Sequence, residues 1–90
     1  DFFDAYYNVG VLYNNRAAMQ YEKIKDIKSD TEYQKAKDAA DQVYLKAIPY
    51  FENAYKLKPD DRSTMQQLKQ LYARAGNTAK YDEMKAKLGN

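Results

Sequence analysis

Ninety residues with fifteen basic and thirteen acidic side chains, a net charge of +2, bound the chain to one small domain. Cysteine and histidine are both missing, which excludes disulfides, thiolate or imidazole metal sites, and Cys-His or Ser-His catalysis within this stretch. No window approaches the ~20 apolar residues of a membrane span, and ten tyrosines against no tryptophan supply amphipathic bulk for a small core or an adhesive surface.

The chain opens without methionine, and a helical pattern begins at Phe2-Phe3. A segment of a longer protein, with any targeting sequence removed, is therefore expected. Along the first arm, Tyr13, Ala17, Tyr21, Ile24 and Ile27 recur at helical intervals, with no glycine or proline between them to mark a loop. The adjacent Asn14 and Asn15 are poor helix formers and could divide this arm, but they cost only about half a kcal/mol each against alanine. One continuous helix is the preferred reading. Ser29-Asp30-Thr31-Glu32 follows as a run of helix-starting residues, and Ser29 with Glu32 has capping-box spacing. The second helix is expected to begin near residue 30 to 32.

Tyr33, Ala36, Ala40, Val43 and Ala47 then alternate at intervals of three and four, the seam of a coiled coil. Tyr33, near the expected tip, either caps that seam or anchors a partner. If the second arm runs from about 31 to 58, Pro49 is interior and leaves the Leu45 carbonyl without its helical donor. A kink near residues 45 to 49 is predicted. Ala47, Phe51 and Ala54 share one helix face, and Pro59 closes the element. A further helical segment carries Met65, Leu68 and Tyr72 and ends at Gly76, and residues 77 to 88 read as the last helix. Asp60-Asp61 directly precedes a helix, where an acid satisfies free N–H groups and the macrodipole. Neither this pair nor Asp82-Glu83 is accompanied by a base, a nucleophile or a glycine-rich loop, and no calcium-loop spacing occurs, so no enzymatic activity, cofactor or metal is expected.

The small, aromatic, small and proline positions at Ala47, Phe51, Ala54 and Pro59 resemble the back half of a tetratricopeptide repeat. Met65, Leu68, Tyr72 and Gly76, and upstream Tyr6, Val9, Gly10 and Tyr13, match the front positions of two such motifs. The resemblance implies an all-α fold: an α-α superhelix of two antiparallel helical hairpins, covering 1–61 and 62–90 of a single domain. Tyr6 and Met65 stand 59 positions apart, which exceeds the ~34-residue period by 25. Shared between two helices, that excess lengthens each by about 12 residues, or roughly 19 Å. The first hairpin is thus expected to be elongated, coiled-coil-like and projecting. The family's glycine position further implies that Gly10 lets the paired helix come close at Ala47.

In the resembled family, the first helix of each motif lines a concave groove that binds a peptide or helix of a partner protein. Carried over, the groove positions are Asp4, Tyr7, Val11, Asn14 and Asn15 in the first motif. In the second they are Ser63, Gln66, Gln70, Ala73 and Arg74. Asn14, Asn15, Gln66, Gln70 and Arg74 suit an extended peptide backbone, with Tyr7 as an aromatic anchor. Only Arg74 is basic, so the family's clamp for acidic chain ends is not expected. Residues 62–90 hold six basic and two acidic side chains, an asymmetry that either steers an acidic partner or coats a solvated end. Basic groups are mixed with acids around the helices, so nucleic-acid binding is not expected, and with no apolar window of span length neither is membrane insertion. The second reading is self-assembly, a homodimer formed through open apolar faces around Phe2 and Phe3 and around Tyr81, Met84 and Leu88.

Overall fold

A computed structural model describes residues 1–89 as helices joined by short turns, with no strand among them. Helix α1 (Phe2–Ile24) runs antiparallel to a bent rod made of α2 (Asp30–Lys46) and α3 (Ile48–Leu57). Helices α4 (Arg62–Ala75) and α5 (Thr78–Leu88) form a second antiparallel pair. The molecule measures 43 × 28 × 16 Å.

Each boundary has a local cause. Asp1 caps α1 by accepting from the Asp4 amide at 2.9 Å. The α1 helix runs unbroken through Asn14 and Asn15, because the apolar face on either side of them is packed. Ser29 caps α2, accepting from the Glu32 amide as its spacing implies. The rod bends at Ala47: its amide turns to the Tyr44 carbonyl, and Pro49, early in α3, brings no donor for Leu45. Asp61 caps α4 through the Thr64 amide and also binds the Thr64 hydroxyl at 2.7 Å, which satisfies a fully buried polar side chain. Gly76 adopts φ 72°, and the Gly76 and Asn77 amides return to the Ala73 and Tyr72 carbonyls. That left-handed closure needs glycine, and it lets Asn77 cap α5 at once.

The core lies where α1, α3, α4 and α5 meet. Phe51 is fully buried at its centre, among Ala47, Met65, Leu68, Leu71, Tyr72, Met84 and Leu88. Ala17, Ala40, Ala47 and Ala54 are completely covered, so the hairpin crossing is built from residues with almost no side chain. Gly10 does permit a close approach, but to Phe51 rather than to Ala47. A Cβ on Gly10 would stand 2.6 Å from two ring carbons of Phe51. The aromatic ring, not the partner backbone, fills the notch. Tyr7 holds that ring edge-on at a centroid distance of 5.3 Å.

Towards its tip the first hairpin thins to a seam. Ile24 and Ala40 are buried there, while Tyr33 is exposed in the first turn of α2. The apolar face expected around Tyr81, Met84 and Leu88 is not open: Met84 and Leu88 are buried in the core and Tyr81 packs against it. At the junction of α3, α4 and α5, the Tyr72 hydroxyl donates to Glu52 at 2.6 Å, and Lys80 meets the same carboxylate at 3.4 Å. Burial, and then the Glu52 carboxylate, push the Tyr72 hydroxyl far above its ordinary value of 10.0.

Because the Phe51 ring is enclosed, Gly10→Ala forces a shift inside the core. Overpacking costs about 1–3 kcal/mol against the ~1 kcal/mol that alanine gains in helix propensity, so a net loss of up to about 2 kcal/mol is expected. Chemical denaturation measures it. Gly10→Ala combined with Phe51→Leu is expected to lose less than the two single changes summed, since the smaller side chain vacates the notch.

Candidate functional site

Helix α1 contributes Val11, Asn14, Asn15 and Ala18 to one depression, and α4 contributes Gln67, Gln70, Leu71 and Arg74. Both sets follow the same i, i+3, i+4, i+7 pattern, so each is one stripe of one helix. Tyr44 of α2 completes the lining. The result is an open cleft of about 260 Å3 between α1 and α4.

Carboxamides dominate the walls. The Asn14 Nδ2 group donates to the Gln67 Oε1 atom at 3.0 Å and ties α1 to α4, while the Asn14 Oδ1 atom is buried without a partner. Asn15 and Gln70 are exposed. At one end the Arg74 guanidinium lies 3.9 Å from the centre of the Tyr44 ring and 5.5 Å from that of Tyr21. Its contact with the Asp41 carboxylate, 3.8 Å, is long for an ion pair. The planar group is therefore oriented by stacking, with most of its five donors uncommitted.

Behind Arg74, Asp41 accepts from the Tyr21 hydroxyl and pairs with Lys37 at 3.1 Å. Partial burial works against the charge on Asp41, but the hydrogen bonds from Tyr21 and Lys37, with the nearby Arg74, prevail and hold it below its ordinary value of 3.8. The Tyr21 hydroxyl is raised by burial and by its bond to Asp41. The network fixes α1, α2 and α4 relative to one another at the cleft's end.

Of the ten positions expected from the sequence, Val11, Asn14, Asn15, Gln70 and Arg74 come together here. Asp4, Ser63 and Gln66 are exposed on the same helices nearer their N-termini and do not line the cleft. Ala73 faces a separate depression with Tyr72, Gly76 and Tyr81. Tyr7 is not a free anchor, because its ring is stacked on Phe3 at 5.8 Å and set edge-on against Phe51. Ala18, Tyr44, Gln67 and Leu71 were not anticipated. Ala18 and Tyr44 lie between Asn15 and Ala47, where the resemblance supplied no positions, and Gln67 is one position beyond the expected Gln66.

Among the described residues no cluster of acidic side chains could hold a metal ion, and no helix is long and apolar enough to cross a membrane. A carboxyl held low in the fold stabilises above its unfolded value and loses that contribution as the pH falls through the folded one. Denaturation midpoints are therefore expected to fall as the pH drops below about 3.8, and Asp41→Asn to flatten that fall while lowering the midpoint at neutral pH. No family model, curated protein or solved structure matches the chain.

Proposed function

We propose that this chain is a protein-interaction module of tetratricopeptide type, which holds an extended peptide segment of a partner protein in the cleft between α1 and α4. The observation that carries this reading is the convergence of Asn14, Asn15, Gln67, Gln70 and Arg74 on one open depression floored by apolar side chains. A carboxamide offers a donor and an acceptor side by side, as a peptide group does. Paired amides on two parallel stripes therefore match a repeating backbone. Tyr44 and Leu71 supply apolar surface for one side chain, and Arg74 supplies a positive end for a carbonyl or carboxylate.

The size favours the same reading. At about 260 Å3 the cleft is smaller than the ~300–1,000 Å3 of small-molecule sites, and it is open rather than enclosed. It suits a segment lying across it more than a cofactor entering it. The cleft also presents no nucleophile and no base with its own orienting partner, which favours binding over catalysis. The antiparallel pairing of the helices, the buried Ala47, Phe51 and Ala54, and the glycine notch at residue 10 support the family assignment.

Asn15 and Gln70 are exposed and make no side-chain hydrogen bond among the described residues, so changing them is expected to leave the fold intact. Peptides selected from a displayed random library against the intact protein are expected to bind with Kd in the micromolar range. Asn15→Ala with Gln70→Ala and Arg74→Gln is expected to raise that Kd by about 10- to 100-fold, at ~0.5–1.5 kcal/mol per hydrogen bond lost. Fluorescence anisotropy reads the change, and selected peptides that bind the triple variant as tightly as the parent would remove the cleft from consideration.

A further inference from the structure

The face of α1 opposite the core carries a second stripe that the proposed cleft does not use. Phe2, Ala5, Val9, Leu12, Arg16 and Met19 recur at alternating intervals of three and four, the spacing of a two-helix seam. Phe2, Leu12 and Met19 are 77%, 67% and 62% exposed, large values for apolar side chains placed in register on one helix. Val9, Leu12, Tyr13 and Arg16 surround a depression of about 150 Å3 in the middle of the stripe.

We propose that this stripe is a self-association surface, on which a second copy of the chain lays its own α1 antiparallel about a two-fold axis. Three observations select that occupant. First, the stripe is self-complementary when facing residue numbers sum to 21. Phe2 then meets the second copy's Met19, Val9 meets the second copy's Leu12, and the small Ala5 leaves room for the long second-copy Arg16. The Val9–Leu12 layers flank the axis, where the central depression gives each knob a hole.

Second, the charges fit this direction alone. Arg16 makes no ion pair among the described residues and rests only over the Tyr13 ring at 5.8 Å. In the antiparallel register it comes within one turn of the second copy's Asp1 and Asp4. A parallel register would set Arg16 against Arg16 and Lys23 against Lys23.

Third, copies cannot stack head to tail. None of the exposed large apolar side chains belongs to α5, the last helix, whose Lys80 and Lys87 are committed to ion pairs with Glu52 and Glu83. A polar end does not cover an apolar one, so the contact closes on itself as a two-fold dimer.

Analytical ultracentrifugation across the micromolar to millimolar range tests the pairing, and a reversible monomer–dimer equilibrium is expected. Leu12→Glu is expected to raise the dimer dissociation constant ~10-fold or more, with the helical circular dichroism unchanged because residue 12 is exposed. Met19→Lys provides an independent check from the end of the stripe. The chain has no cysteine, so oxidising a mixture of Phe2→Cys and Met19→Cys proteins reports direction. Crosslinks between unlike variants support the antiparallel register. A monomer at every concentration, a dimer that Leu12→Glu leaves intact, or crosslinks only between like variants would overturn the proposal.

Discussion

The fold depends on one close approach, where the ring of Phe51 occupies the space that a side chain at residue 10 would take. Glycine inside a 23-residue helix is a local loss of about 1 kcal/mol against alanine. The loss is offset because the notch seats the largest fully buried side chain of the molecule. Burying an aromatic side chain of this size is worth about 1.5–3 kcal/mol. From that seat Phe51 reaches the residues of α4 and α5 that form the rest of the core. The first hairpin is therefore not an independent pair on which the second one docks. The same ring closes α1 onto α3 and lies in the buried cluster that α4 and α5 complete.

The reach of α2 beyond the bend also determines the shape of the cleft. Asn14 and Gln67 link α1 to α4 near the body, but Tyr44 and Asp41 belong to α2, beyond the bend at Ala47. Without that reach, α1 and α4 would border an open trough, and Arg74 would have neither the ring it stacks on nor the carboxylate behind it. The bend itself follows from Pro49, which leaves α3 to pack on α4 while α2 continues beside α1.

Much of this was legible in the sequence, and the parts that were not share a physical reason. The helix starts at Ser29 and Asp61, the stop at Gly76 and the kink before Pro49 are set by residues within one turn, and each fell where local chemistry places it. The helices followed from periodicity, and their arrangement as two antiparallel pairs from the resemblance. Side-chain partners across helices were less legible. The notch at Gly10 was assigned to Ala47 from the family's glycine position, whereas a ring one turn further along fills it. Tyr7, Met84 and Leu88 were read as surface from their place in a pattern. Their packing depends on how α3 and α5 approach, and no local spacing encodes that. Half of the cleft, from Val11 to Arg74, came from the family resemblance, while Tyr44 and Ala18 lie in a stretch for which the resemblance offered no positions.

Arg74 shows how such a cleft can be held ready without being held shut. Its ion pair with Asp41 is long and partly exposed, a class of contact worth about 0–1 kcal/mol. Stacking on Tyr44 contributes a similar ~0.5–1 kcal/mol but acts through the face of the guanidinium and leaves its edge free. Under the proposed function, a partner's carbonyl or carboxylate would replace Asp41 as the edge acceptor while the ring continues to set the plane. Asp41 does not become an isolated buried charge when this happens, because Tyr21 and Lys37 still bond to it. The orientation of Arg74 is thus fixed before a ligand arrives, and the exchange of acceptors costs little, which is the condition under which one exposed cation contributes to affinity rather than only to solubility.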